Sequence, residues 1–106
     1  MDELRAILER KLSSLPGVTI APWKDTNLIC VNCHGKEVGH FHGAGVLDLR
    51  LSPKIIRQEG LSRDVSARFH PKRSQNSRWI CVEFTTSDEV DRVVHLVTLA
   101  CGERGM

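Results

Sequence analysis

The sequence predicts an α+β fold, an antiparallel sheet of about five strands with two long helices packed on one face. Three observations carry that prediction. Leucine and isoleucine recur at helical spacing at the start of the chain, a valine stripe recurs at its end, and short alternating stretches broken by glycine turns lie between. Short consecutive strands joined by tight turns pair antiparallel, and two amphipathic helices flanking them need a shared surface on which to bury their stripes.

From Asp2 to Leu15 the apolar positions Leu4, Ile7, Leu8, Leu12 and Leu15 define the first helix, and Pro16-Gly17 ends it. Val18 to Ala21 reads as a short strand. After the connection Pro22-Trp23-Lys24-Asp25, the runs Leu28 to Cys33, Lys36 to His42 and Val46 to Leu51 read as three strands of a meander. Ser52-Pro53 supplies an N-cap with proline at the first helical position, and Gly60 stops the short helix Pro53 to Glu59. Leu61 to Ser77 has no period. Arg78 to Phe84 alternates again as a strand. Thr86-Ser87-Asp88-Glu89 offers a capping box to a final helix with the stripe Val90, Val93, Val94, Val97 and Cys101, closed by Gly102.

With 106 residues, 41% of them hydrophobic, the chain has material for one core, so residues 1–106 are expected to form a single domain. A formal charge of +2 is too mild to imply nucleic acid. No apolar run approaches the roughly 20 residues of a membrane span. Met1-Asp2-Glu3-Leu4-Arg5 begins an acidic amphipathic segment, unlike a secretory signal. A cytoplasmic location is the default expectation, with Cys30, Cys33, Cys81 and Cys101 as thiols.

The functional signal lies in His40-Phe41-His42-Gly43-Ala44-Gly45-Val46-Leu47-Asp48-Leu49-Arg50. Strand side chains alternate, so Phe41, Leu47, Leu49 and Leu51 take the core and leave His40, His42, Val46, Asp48 and Arg50 on the opposite face. Placing Phe41 beside Leu47 requires the three-residue turn Gly43-Ala44-Gly45, which sets His40 opposite Asp48 and His42 opposite Val46. The same core matching, with Ile29 and Val31 inward, predicts a three-residue turn at His34-Gly35-Lys36 and puts Cys30 beside His40. In the later strand Ile80, Val82 and Phe84 take the core, so Trp79, Cys81 and Glu83 join the polar face. Half-buried polar side chains must find partners, and two imidazoles, a carboxylate and a guanidinium gathered on one face mark a site.

Val38-Gly39-His40-Phe41-His42, the glycine turn and Asp48-Leu49-Arg50-Leu51-Ser52-Pro53 resemble the luciferase domain family, as do His70, Arg78-Trp79 and the helix opening Ser87-Asp88-Glu89-Val90. The resemblance runs from about Gly17 to Leu99. It implies that His40, His42, Asp48, His70 and Trp79 occupy family motif positions, with their chemistry unassigned. The family usually closes its last helix with an aromatic, where this chain has Leu99-Ala100-Cys101. The family name does not imply light emission here, because no oxygenase motif or luciferin site is recognisable.

Several chemistries compete for these residues. Cys30-Val31-Asn32-Cys33-His34 matches the haem attachment pattern and half a zinc knuckle, but its two cysteines point to opposite faces of a strand and no second pair follows. No cofactor is expected. His40 and His42 have the spacing of a transition-metal site, which Cys30, Asp48 or His70 would have to complete, against a plain pair of hydrogen-bonded histidines. The row Cys30, His40, Asp48 has the order nucleophile, base and orienting carboxylate, against a buried thiol beside a salt-bridged histidine. Between Lys54 and Arg78 seven cations face only Glu59 and Asp64, yet Phe69 and Trp79 are too few aromatics for an RNA platform.

The expectation is therefore a domain that binds a small anionic ligand through His40, His42, Asp48, Arg50, His70, Arg78 and Trp79. His40 and His42 would bind or transfer protons, Asp48 would orient His40, and Arg50 with Arg78 would attract negative charge. The rivals are a thiol- or metal-dependent hydrolase or transferase using Cys30, His40 and His42, and a module whose sheet face docks a partner protein.

Overall fold

Five strands make one antiparallel sheet in the order β1 (Val18–Pro22), β2 (Ile29–Cys33), β3 (Lys36–His42), β4 (Val46–Arg50) and β5 (Trp79–Glu83). In this computed structural model residues 3–104 are described; Met1 and Asp2, where the first helix was expected to begin, lie outside them. Helix α1 (Glu3–Ser13) precedes the sheet, α2 (Pro53–Gln58) and α3 (Asp64–Phe69) lie between β4 and β5, and α4 (Ser87–Arg104) follows. Among the described residues no helix is long and apolar enough to cross a membrane.

The two long helices share one sheet face. Leu8 and Leu12 of α1 meet Val90, Val93 and Val97 of α4 over Val31, Phe41, Leu47, Leu49, Ile80, Val82 and Phe84, all buried, as the alternation argument requires. The stripe of α4 is rotated slightly from its expected position: Leu96 and Ala100 are fully buried, while Val94 and Cys101 sit at the boundary. Gly102 does not end this helix, which runs on to Arg104. A glycine costs about 1 kcal/mol in a helix, and the turn that contains it is anchored by the Glu103 carboxylate, which accepts the Ser52 backbone N–H at 2.9 Å.

The β3–β4 register is the expected one, with His40 opposite Asp48, Phe41 opposite Leu47 and His42 opposite Val46. The β2–β3 hairpin reaches the expected pairing of Cys30 with His40 by a different route. Its turn has two residues, His34 (φ 52°) and Gly35 (φ 82°), both left-handed as a tight primed turn demands, and Cys33 pairs with Lys36. A bulge then inserts Val38 between the pairs Asn32–Glu37 and Val31–Gly39 and restores the register. The bulge turns Val38 into the core and leaves Glu37 half-buried.

Two further expectations fail. Cys33 and Cys101 are joined as a disulfide between β2 and α4, with Cα atoms 5.6 Å apart, so only Cys30 and Cys81 remain thiols. The segment from Leu61 to Ser77 contains α3, which sequence reasoning missed because it shows neither stripe nor cap: its one buried residue is Ser66, and its N-cap Arg63 makes no side-chain cap bond. Ser66 also explains why α3 sits where it does. Its hydroxyl accepts the backbone N–H of Cys81 at 2.8 Å, covering the open edge of β5.

Candidate functional site: a histidine cluster around a buried carboxylate

Asp48 lies between Leu47 and Leu49 on β4, so it points away from the core face, yet it is fully buried. An unpaired carboxylate in that position would be untenable. Arg73, in the stretch after α3, meets it with two parallel bonds, Nη1 to Oδ1 and Nη2 to Oδ2, each 2.9 Å. This fork ties the stretch at Arg73 to the sheet face.

Three imidazoles converge on the same oxygen. His40 Nε2 is 3.4 Å, His70 Nε2 3.6 Å and His42 Nε2 3.8 Å from Asp48 Oδ2, and the Nε2 atoms of His42 and His70 are 3.4 Å apart. His40 and His42 come from β3, whose alternation puts both on this face. His70 comes from the C-cap of α3, where its backbone N–H donates to Ser66 at 2.7 Å. The other ring nitrogen of His40, Nδ1, lies 3.0 Å from Glu37, which also accepts from the Cys30 thiol at 3.5 Å. Trp79 stands beside His40 with ring centroids 5.5 Å apart, and Phe69 stacks on His42 at 5.4 Å.

The protonation preferences follow from these contacts. The hydrogen bond to Asp48 raises the His40 pKa, and Glu37 adds to it against the opposing effect of burial. Burial lowers that of His42, and the neighbouring His40 charge lowers it further. For Asp48 burial is the largest single influence and pushes upward, but His40 and Arg73 together hold the carboxyl well below the usual carboxylate range. Burial, reinforced by Glu37, pushes the Cys30 thiol up to about 11, and burial does the same for Cys81. Neither is a thiolate at neutral pH.

Of the residues singled out from the sequence, Cys30, His40, His42, Asp48, His70 and Trp79 are brought together. Arg50 lies opposite Trp79 in the ladder, half-exposed on the same face, and Arg78 is exposed just before β5, where its carbonyl accepts the Leu51 N–H. The expected row continues across four strands as Cys30, His40, Asp48 and Cys81. The Cys30 thiol, however, bonds to Glu37 rather than to the imidazole. Sequence reasoning missed Arg73, Glu37 and Phe69 as site residues. A buried aspartate signals that a cation must come, but nothing distinguishes Arg73 among the seven of its region; Glu37 reaches the face only through the bulge.

Fold and cluster together define a small α+β domain carrying a His/Asp/Arg constellation on the sheet face opposite its long helices. The model of the luciferase domain family matches residues 35–100, more than half of the chain, and the chain belongs to that family. The match takes in β3 through most of α4 and all of the cluster except Cys30; α1, β1 and β2 fall outside it. Comparison with the curated proteins and with the solved structures gave no match.

Proposed function

We propose that this face binds a small anionic ligand, with His40 and His42 contacting it, Asp48 orienting His40, His70 and Trp79 flanking it, and Arg50 and Arg78 drawing its charge. One observation carries the reading: three imidazole nitrogens converge on an oxygen that Arg73 already holds. A carboxylate oxygen has about two acceptor positions. Arg73 takes one, and the second cannot serve three imidazoles, so the cluster holds more polar capacity than its own partners consume. A half-buried site with surplus polar capacity suits a partner from outside.

Charge agrees with this. Arg73 offsets Asp48, so the carboxylate does not repel an anion, and among the described residues no ion pair or hydrogen bond engages the guanidinium of Arg50 or Arg78. Behind His70 and Arg73 lies a cleft of about 40 Å³, lined also by Ser66, room for a few waters at most, so the body of a ligand would lie on the solvent side. The enzyme reading through Cys30 is weakened by its bond to Glu37. The docking reading is weakened by residues 70–73, which lie over the face a partner would need. Residues 1–106 would act as one domain. The Cys33–Cys101 bond favours an oxidising compartment over the cytoplasm expected from the sequence, since disulfides persist in oxidising compartments.

Calorimetric titration of inorganic phosphate and small carboxylates into wild-type, His42→Ala and Arg78→Ala proteins tests the proposal. Loss of the Arg78 cation should weaken all acidic ligands alike and flatten their salt dependence. Loss of His42 should change which ligand is preferred. Absence of small-anion binding, with a partner protein protecting residues 40–50 from hydrogen exchange, would replace the pocket by a docking surface.

A further inference from the structure

Three distances within the cluster are long for hydrogen bonds. Good N–H···O bonds span about 2.7–3.2 Å; His42 Nε2, His70 Nε2 and Asp48 Oδ2 instead form a triangle with edges of 3.4, 3.6 and 3.8 Å. Three ligand atoms held at or past the outer limit of hydrogen bonding share a common neighbour more naturally than one another. The point equidistant from all three in their plane lies about 2.1 Å from each, within the range of zinc–nitrogen and zinc–oxygen bonds.

We infer that His42, His70 and Asp48 form a binding site for a divalent first-row transition ion, open to solvent on the side away from the sheet. Two imidazoles and one carboxylate are the donor set that such ions favour, and three protein ligands leave a position for an exogenous one. Cys81 Sγ, buried on the neighbouring strand, lies with these three donors in a group whose ligand atoms are all within 4.8 Å of one another.

The surroundings match what a ligating carboxylate needs. Arg73 holds Asp48 side-on and His40 approaches the same carboxylate from β3, so its orientation is fixed by outer partners. His70 is placed by the end of α3, and α3 by the Ser66 bond to the edge of β5. The local charge is also informative. With Arg73 balancing Asp48, an ion of charge two would leave the site cationic, and the open position would favour an anion. Only this last step rests on the function proposed above; the ion site itself stands on the triangle of donor atoms.

The test uses the full chain, stripped with a chelator and then titrated with zinc by calorimetry and with cobalt by absorption. One ion per chain is expected, with the intense visible bands of four- or five-coordinate cobalt. A sulfur-to-cobalt charge-transfer band would add Cys81 to the ligand set of the same ion. His70→Ala should weaken zinc by more than about tenfold, the scale already reached when an outer-sphere partner is lost, while His95→Ala, on the exposed face of α4, should leave binding unchanged. Circular dichroism of each variant checks folding. Should His42→Ala or Asp48→Asn fail to fold, zinc-induced shifts of the His42 and His70 ring nitrogens in the wild type report the same ligands. No zinc uptake, or uptake indifferent to His70→Ala in a folded protein, overturns the inference. Phosphate titrated into metal-free and zinc-loaded protein separates the two claims: phosphate binding without zinc uptake removes the ion and keeps the anion site, and zinc uptake without phosphate binding does the reverse.

Discussion

Arg73 grips both oxygens of Asp48 at 2.9 Å, joining the stretch after α3 to the middle of the sheet across 25 residues of chain. Removing one partner of a buried pair is worse than removing both, because the survivor keeps its charge without compensation. Arg73→Met should therefore destabilise the protein by about 3 kcal/mol, the lower end of the usual range, since Arg73 retains 16% side-chain exposure. Adding Asp48→Asn to that variant should recover part of the loss. Urea unfolding of the single and double variants measures both; a double variant less stable than Arg73→Met would mean that the pair is not what holds this segment down.

The Cys33–Cys101 disulfide closes 68 residues between β2 and α4. Constraining a loop of that size in the unfolded chain stabilises the fold by about 4 kcal/mol on the chain-entropy model. Reduction, or a Cys33→Ala/Cys101→Ala pair, should lower the melting temperature while the far-ultraviolet circular dichroism stays native at low temperature. An unchanged melting temperature on reduction would contradict the contribution assigned to this bond.

Leu49 is fully buried and flanks Asp48 on β4. Leu49→Ala should cost about 2 to 5 kcal/mol, the spread depending on how far the core collapses. A denaturation curve identical to wild type would mean that Leu49 is not in the core, and Asp48 would then not be on the opposite face.

Glu89 gives a pH dependence at the start of α4. Its carboxylate accepts the backbone N–H and the hydroxyl of Thr85 at 2.7 and 2.8 Å, while Thr86 caps the Glu89 N–H at 3.1 Å. These bonds, led by the Thr85 backbone, lower the pKa from its ordinary value of 4.5. A depressed carboxyl contributes stability that is complete above its unfolded pKa and is lost as pH falls through the folded one. Wild type should thus exceed Glu89→Gln in melting temperature near neutral pH, and the gap should close as the pH falls below about 4.5. A gap that persists in acid would assign the difference to something other than the carboxylate charge.

What could be read from the sequence followed from apolar pattern. The β3–β4 hairpin was legible because Phe41, Leu47 and Leu49 pin one face and the glycine turn allows one register, so the pairing of His40 with Asp48 came directly. The β2–β3 hairpin was legible only in outcome. Its two-residue turn and the bulge at Val38 offset each other at Cys30–His40, and the bulge brings up Glu37, which strict alternation assigns to the core. The reach from α3 back to the sheet was not legible. His70 could be singled out, but its partners depend on a short helix without stripe or cap and on one arginine among seven cations. The Cys33–Cys101 bond also needed three dimensions, since nothing in a separation of 68 residues says that two thiols will meet.

The account rests on His40, His42 and His70 forming one ligand-responsive cluster around Asp48. Its most direct test is an NMR titration of inorganic phosphate, following the ring nitrogens of all five histidines. The account predicts that the Nε2 resonances of His40, His42 and His70 shift together along one saturating curve, while His34 and His95, exposed elsewhere, stay still. Equal, unsaturable drift of all five, or no shift at the three, would contradict it.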